Sequence, residues 1–353
     1  MRVSDGQSLS GDAAGLSANP PREREAPAGP AQALGLRPPE FFIAGHQKCG
    51  TTALYAMLRK HPQIFMPDVK EPRYFCTDLY SRFPPKTDAA RRAHTLEGYL
   101  SLYAEAGPEQ LLGEASPQYL RSRAAPAEIA AVQPNARIIA ILREPAAFLR
   151  SFHMQMVSSN VETEKDFRKA VGLEAPRQQG KRIPRRCQHP DALQYTDQVR
   201  YVEQLRRYRE LFSAENVHVI IYDDFRRDNE ATVRGVLRFL GVDADAPVET
   251  IDTKPLKAVR SLPLHQLANG ARLARTNPAA AGRLGRTINA LTPAVLRSQA
   301  VRSRWRRLVY QAPPPADETF MRELRVRFEP EVRALSEYLG RDLVSEWGYD
   351  RLG

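Results

Sequence analysis

The sequence predicts an α/β protein, a single domain with a P-loop-like parallel sheet flanked by helices on both faces. Three observations predict it. Short apolar runs of strand length alternate with amphipathic segments of helical length, the pattern of a mostly parallel sheet covered on both sides. The first run, FFIAG (41–45), leads through the glycine-bounded turn GHQKCG into the helical stretch TTALYAMLRKH (51–61). The 42% hydrophobic content over 353 residues is enough for one sizeable core.

Taken in order, residues 1–39 are rich in Pro, Ala, Gly and charge, without the apolar core of a secretory signal. They read as a disordered leader, with the folded domain spanning 40–350. After the strand at 41–45, Leu54, Met57 and Leu58 recur at helical spacing in 51–61. QLLGEAS (110–116) and ARIIAILR (136–143) read as strands with a short helix, PAEIAAV (126–132), between them. AAFLRSFHMQMV (146–157) is a helix entered just past Pro145. Residues 161–195 are polar and basic with no clear period, and read as a surface excursion, an acceptor-side loop. VHVIIYDDF (217–225) is a further strand, and NEATVRGVLRFLGV (229–242) a helix closed by Gly241 in a left-handed C-cap. The Arg- and Ala-rich stretch 254–315 fits helices packed over one edge, and 318–343 is an amphipathic helix broken or kinked at Pro330. In such a sheet the ligand site lies beyond the carboxyl ends of the strands.

The formal charge of +11 points to an anionic ligand or surface without distinguishing nucleic acid, acidic lipid and phosphorylated cofactor. No nucleic-acid recognition motif or aromatic-interleaved basic stripe accompanies it, and the basic run KRIPRR (181–186) reads as a solvated face or an anionic-acceptor contact. Cys49, Cys76 and Cys187 form no C-x-x-C, so they read as reduced thiols in a cytoplasmic protein without structural zinc. No segment reaches the roughly 18 uninterrupted apolar residues of a membrane helix.

The glycine turn carries the chemistry. A nucleotide-triphosphate P-loop reads G-x-x-x-x-G-K-S/T; Gly45, Gly50 and Thr52 fit it, but Thr51 stands in the lysine position and Lys48 comes three residues early. Backbone N–H groups of a turn opening into a helix bind phosphate oxygens whatever the lysine does. A triphosphatase also needs Mg²⁺ held by an acidic residue at a strand end, whereas here LREP places Arg143 there. An early lysine and a downstream arginine suit a metal-free nucleotide whose leaving group is neutralised by side-chain cations. A Mg²⁺-dependent P-loop kinase or nucleotide triphosphatase is the alternative.

GHQKCGTTALYAMLRKHP resembles the 5′-phosphosulfate loop, G-x-x-K-x-G-T-T/S-x-L followed by H-P, of sulfotransferases that use 3′-phosphoadenosine 5′-phosphosulfate, PAPS. KEPRYF (70–75) is similar to the segment that follows it in the heparan-sulfate and related bacterial branch. LREPAAFLRSFHMQM resembles their 3′-phosphate segment, R-x-P-x-x-R-x-x-S, with Arg143, Pro145 and Ser151 in register, Phe148 in place of the second arginine and Arg150 nearby off register. GEASPQY (113–119) and LGRDLVSEWG (339–348) also look like bacterial members.

The resemblance implies sulfuryl transfer from PAPS to a hydroxyl of a small molecule or glycan, leaving adenosine 3′,5′-bisphosphate and requiring no metal. It assigns Lys48 as the transition-state cation. It places Lys48, Cys49, Gly50, Thr51 and Thr52 at the 5′-phosphate, and Arg143 and Ser151 at the 3′-phosphate. Glu71 carries over as the base, with Arg73 where a histidine is often found, and a carboxylate serves there if packing raises its pKa. Glu114 is the rival base, with a salt-bridged structural role as its other reading; His46 and His153 are further candidates. Arg143 also fits a plain strand-end cap or a partner of Glu144, and Tyr74 and Phe75 fit core or pocket walls.

Overall fold

The computed structural model describes residues 34–80, 94–185, 187, 189–250, 258–266 and 308–352. The expected leader up to residue 33, Arg186 of the basic run and most of 254–315 lie outside the described residues.

Five parallel strands form the sheet: β1 (Phe41–Gly45), β2 (Ile64–Phe65), β3 (Leu111–Ala115), β4 (Arg137–Leu142) and β5 (Val217–Ile221), in the order β2-β3-β1-β4-β5. β1 is buried along its whole length, which is why its apolar run is continuous rather than alternating. β2 spans two residues, too short to leave a periodic signal. Flanking helices include α1 (Thr51–Leu58), α2 (Ala125–Val132), α3 (Pro145–Ser158), α4 (Tyr201–Arg209), α5 (Tyr222–Arg227), α6 (Asn229–Leu240) and α7 (Glu318–Leu339). A separate antiparallel pair joins Ala258–Val259 to Tyr310–Gln311. Because β1 sits between β3 and β4, with Ile43 beside Ala115 and Gly45 beside Ala140, the turns leaving these three strands share one edge of the sheet.

Three expectations change. The run 217–225 stops as a strand at Ile221 and turns directly into α5, whose first turn carries Asp223 and Asp224. Aspartates are poor in strands and favourable at a helix start. Among the described residues of 161–195, part of the expected loop is a packed cap, while the stretch 178–182 stays exposed. Helices Phe167–Gly172 and Glu174–Gln178 lie there around a fully buried ion pair, Glu162 to Arg177 at 2.8 Å, with the Tyr195 hydroxyl donating to Glu162 at 3.1 Å. Glu162, Glu174 and Arg177 turn inward while most of the other described charges stay exposed, so polarity in the sequence concealed this local burial. Finally, α7 runs unbroken through Pro330. The ring removes an N–H that would bond the carbonyl of Val326, a residue on the exposed side, while Phe320, Met321, Leu324, Phe328, Val332 and Leu335 bury the opposite face. Gly241 caps α6 with φ 67° as expected.

Candidate active site

The turn after β1 is fixed on both flanks. The Leu120 N–H donates to the Ala44 carbonyl and the His46 N–H to that of Ile141, each at 2.7 Å. A Cβ at Gly45 would lie 2.5 Å from Leu120, so the backbone passes where no side chain fits. Gly50 has φ 86°, and a Cβ there would lie 2.7 Å from the Phe225 ring. Gly50 also opens α1 with no side-chain cap and no acidic residue in the first turn. The helix start therefore keeps its unpaired N–H groups and partial positive charge, with Thr51 buried against it and Thr52 exposed. That geometry fits a phosphate group. Cys49, expected among the cofactor contacts, faces inward: its thiol donates to Gln47 O, its N–H to His46 O, and burial pushes its pKa up to about 12.

Lys48 sits in the turn with φ 63°, its Nζ 3.5 Å from Gln155 Oε1 on α3 and without a carboxylate partner among the described residues. Burial first, then the neighbouring Arg143 charge, lower its ammonium pKa. Arg143 directly follows β4, donates to the Lys48 carbonyl at 3.4 Å and lies 4.8 Å over the Tyr222 ring. It does not pair with Glu144. That carboxylate caps α3 through the N–H groups of Ala146 and Ala147 at 3.0 and 2.7 Å and accepts the Tyr349 hydroxyl at 2.6 Å. Ser151 lies on α3, buried; Phe148 is core, and Arg150 donates away to the Pro314 carbonyl.

Segment 70–75 is laced onto the end of β3. The N–H groups of Glu71, Arg73 and Phe75 donate to Ala115 O (3.1 Å), Ser116 Oγ (3.1 Å) and the Tyr119 hydroxyl (3.4 Å). Since Ala115 neighbours Ile43, this holds Glu71 beside the strand that feeds the turn. The Glu71 carboxylate accepts from Lys70 at 2.8 Å, Arg73 at 2.6 Å and Gln118 at 3.1 Å. Burial works to raise its pKa, but the two cations overcome it and hold the group at about 2, opposite to the expected direction. Glu114 behaves the other way. It is 1% exposed and accepts hydroxyls of Tyr99 and Tyr119, both at 2.7 Å, rather than forming the expected salt bridge. Desolvation outweighs those bonds and raises it to about 7.

Both candidate histidines are packed. His46 bonds Gln204 at 2.7 Å between the rings of Phe148 and Tyr201, and burial lowers its pKa to about 4. His153 bonds the Glu164 carbonyl at 2.8 Å beside Phe167 and Tyr195. Tyr74 stacks on Tyr99, and Phe75 meets the same ring edge-on.

Sequence reasoning missed Gln155, Gln118, the platform Tyr222 and a cleft of about 590 Å³ lined by Arg143, Glu144, Asp223, Arg226, Arg325 and Trp347. Tyr222 was recoverable, since it follows the apolar run of β5, where a parallel sheet places its ligand. Arg325 was not, because nothing local ties an arginine of α7 to the end of β4.

A model described as Sulfotransferase family matches residues 39–246, which include the turn, Glu71, Arg143 and Ser151. Human carbohydrate sulfotransferase 15 is 27% identical over 168 residues, covering 38% of this chain and 30% of that protein. Its mouse counterpart is 26% identical over the same extent, so the chain spans about 30% of the length of the curated relatives it matches. The crystal structure of a sulfotransferase from Alicyclobacillus acidocaldarius superposes with a TM-score of 0.53 at 28% identity, covering 74% of this chain and all of that one, 100%.

Proposed function

Because the chain belongs to the sulfotransferase family, we propose that it moves a sulfuryl group from PAPS to a hydroxyl of a small molecule or glycan. The observation that carries this reading is an uncapped helix start preceded by a lysine, Lys48, with no carboxylate partner among the described residues, and with Arg143 against the same turn. When bound, PAPS supplies the activated sulfuryl group. The chain's part is positioning and charge. N–H groups of Gly50, Thr51 and Thr52, with the threonine hydroxyls, hold the 5′-phosphate, and Arg143 with Ser151 takes the 3′-phosphate. Lys48 stands where the bridging oxygen gains negative charge in an in-line displacement, so it stabilises the transition state more than the ground state. No metal enters this reading.

Glu71 is the proton acceptor in this reading because it can be reached: its side chain is 26% exposed, whereas Glu114 is closed in behind two tyrosines. Lys70 and Arg73 hold it at about 2 and weaken it as a base, so the reading requires both to turn to the bound ligand. A carbohydrate hydroxyl is the favoured acceptor, supported by the name of the human relative. The proposal includes a cytoplasmic setting, consistent with free thiols at Cys49, Cys76 and Cys187.

Calorimetry with adenosine 3′,5′-bisphosphate and transfer of labelled sulfate from PAPS to a panel of hydroxylated sugars and metabolites test the reading. Lys48→Ala should lower turnover about 10²–10³-fold, the usual cost of losing one transition-state donor, and weaken bisphosphate binding far less. Full turnover in that variant rejects Lys48 as the cation, and failure of the wild type to bind the bisphosphate rejects the reading.

A further inference from the structure

We infer that Arg325, on α7, is a second binding residue for the nucleotide's 3′-phosphate, acting beside Arg143 across the cleft between the end of β4 and α7. The inference rests on the PAPS reading above. A phosphate monoester carries nearly two negative charges at neutral pH. Arg143 supplies one positive charge, and the carboxylate of Glu144 follows it directly in the chain, so the site as assigned is short of cation.

The cleft walls supply that cation selectively. Its carboxylates are already committed: Glu144 to the α3 N–H groups and Tyr349, Asp223 to the Trp347 indole at 3.2 Å and Arg226 at 3.5 Å, and Glu346 to Arg341 at 2.6 Å. Arg227 is paired with Asp224 at 2.7 Å, and the side chains of Arg226 and Arg227 are 65% and 77% exposed. Arg143 and Arg325 are different. Arg143 has no carboxylate partner among the described residues, and Arg325, its side chain 33% exposed, makes only a loose ion pair with Glu144, Nε to Oε1 at 3.8 Å, beyond hydrogen-bond length. Arg325 Nε is also shielded from water without a hydrogen-bond partner among the described residues. A buried, unsatisfied guanidinium N–H is costly, and a phosphate oxygen in the cleft would satisfy it with a charge-assisted bond. The guanidinium fork can engage two phosphate oxygens at once. Arg325 lies outside the span matched by the family, 39–246.

The test compares the full chain with its Arg325→Met and Arg325→Lys variants by titration calorimetry against adenosine 3′,5′-bisphosphate and adenosine 5′-phosphate. The wild type should prefer the bisphosphate. Arg325→Met should lose about 10–100-fold in bisphosphate affinity with the monophosphate unchanged, the range for a charged hydrogen-bond partner. Arg325→Lys, which keeps the charge and packing but not the fork, should lose part of that preference, and it decides the matter if the methionine variant does not fold. Unchanged bisphosphate affinity in a folded methionine variant overturns the inference, as does unchanged preference in the lysine variant where the methionine variant does not fold, or an equal loss for both nucleotides, which marks Arg325 as structural support. A wild type that does not distinguish the nucleotides overturns the PAPS reading itself.

Discussion

Glu71 and Glu114 sit on adjoining segments, yet their surroundings drive them to opposite ends of the carboxylate range. Two cations hold Glu71 at about 2, and a dry pocket lifts Glu114 to about 7. The pH dependence of kcat/KM reports the free enzyme's essential base, so the two assignments separate cleanly. With Glu71 as base, the deprotonated form needed for activity persists throughout the ordinary working range, and kcat/KM should show no acid limb between about pH 5 and 8. Glu71→Gln should then cost about 10²–10⁴-fold in rate with bisphosphate affinity kept. An acid limb near 7 that disappears in Glu114→Gln would move the base to Glu114. The residue types, their segments and even the cations beside Glu71 were legible in the sequence, since Lys70 and Arg73 flank it in the chain; the dry pocket of Glu114 was not, because burial and the approach of Tyr99 come only with folding.

At the scale of elements, the strand-turn-helix that forms the cradle was readable because its signals are local. Gly50 is required there by conformation and space together. Gly50→Ala places a Cβ 2.7 Å from the Phe225 ring at φ 86° and should destabilise the fold by about 1–3 kcal/mol while weakening bisphosphate binding. Gly235→Ala is the matched control. In α6 a Cβ meets nothing within 4 Å, so urea unfolding should show a gain of about 0.5–1 kcal/mol. Equal effects at the two positions would mean that Gly50 is no special constraint. Elements whose fate depended on partners were misread: the cap at 161–195 looks solvated until Glu162 and Arg177 meet inside it, and Pro330 looks like a break until the apolar face of α7 docks.

For the molecule as a whole, the matched family span ends at 246, but the structural unit does not. Six apolar side chains of α7 are buried, Glu331 accepts the Val202 N–H at 2.9 Å, Arg341 pairs with Asp224, and Tyr349 holds the α3 cap. At about 1.5–3 kcal/mol per buried side chain, those six contribute on the order of 10 kcal/mol. Native stability is itself only about 5–15 kcal/mol. A chain lacking 317–353 should therefore show no cooperative thermal transition in circular dichroism and no bisphosphate binding. A sigmoidal melt with retained binding would show that α7 is dispensable.

The parallel α/β class, the glycine-bounded turn with its early lysine and the arginine just past β4 were all legible in the chain. Each is written within a few consecutive residues, where strand pattern, glycine placement and helix start act locally. Folding added what the sequence could not show: that Glu114 is dried out, where the capping region packs, and that a C-terminal helix lines the cleft beside Arg143. Those properties depend on burial and on charges brought together from distant parts of the chain, and neither desolvation nor long-range pairing leaves a periodic trace in a single sequence.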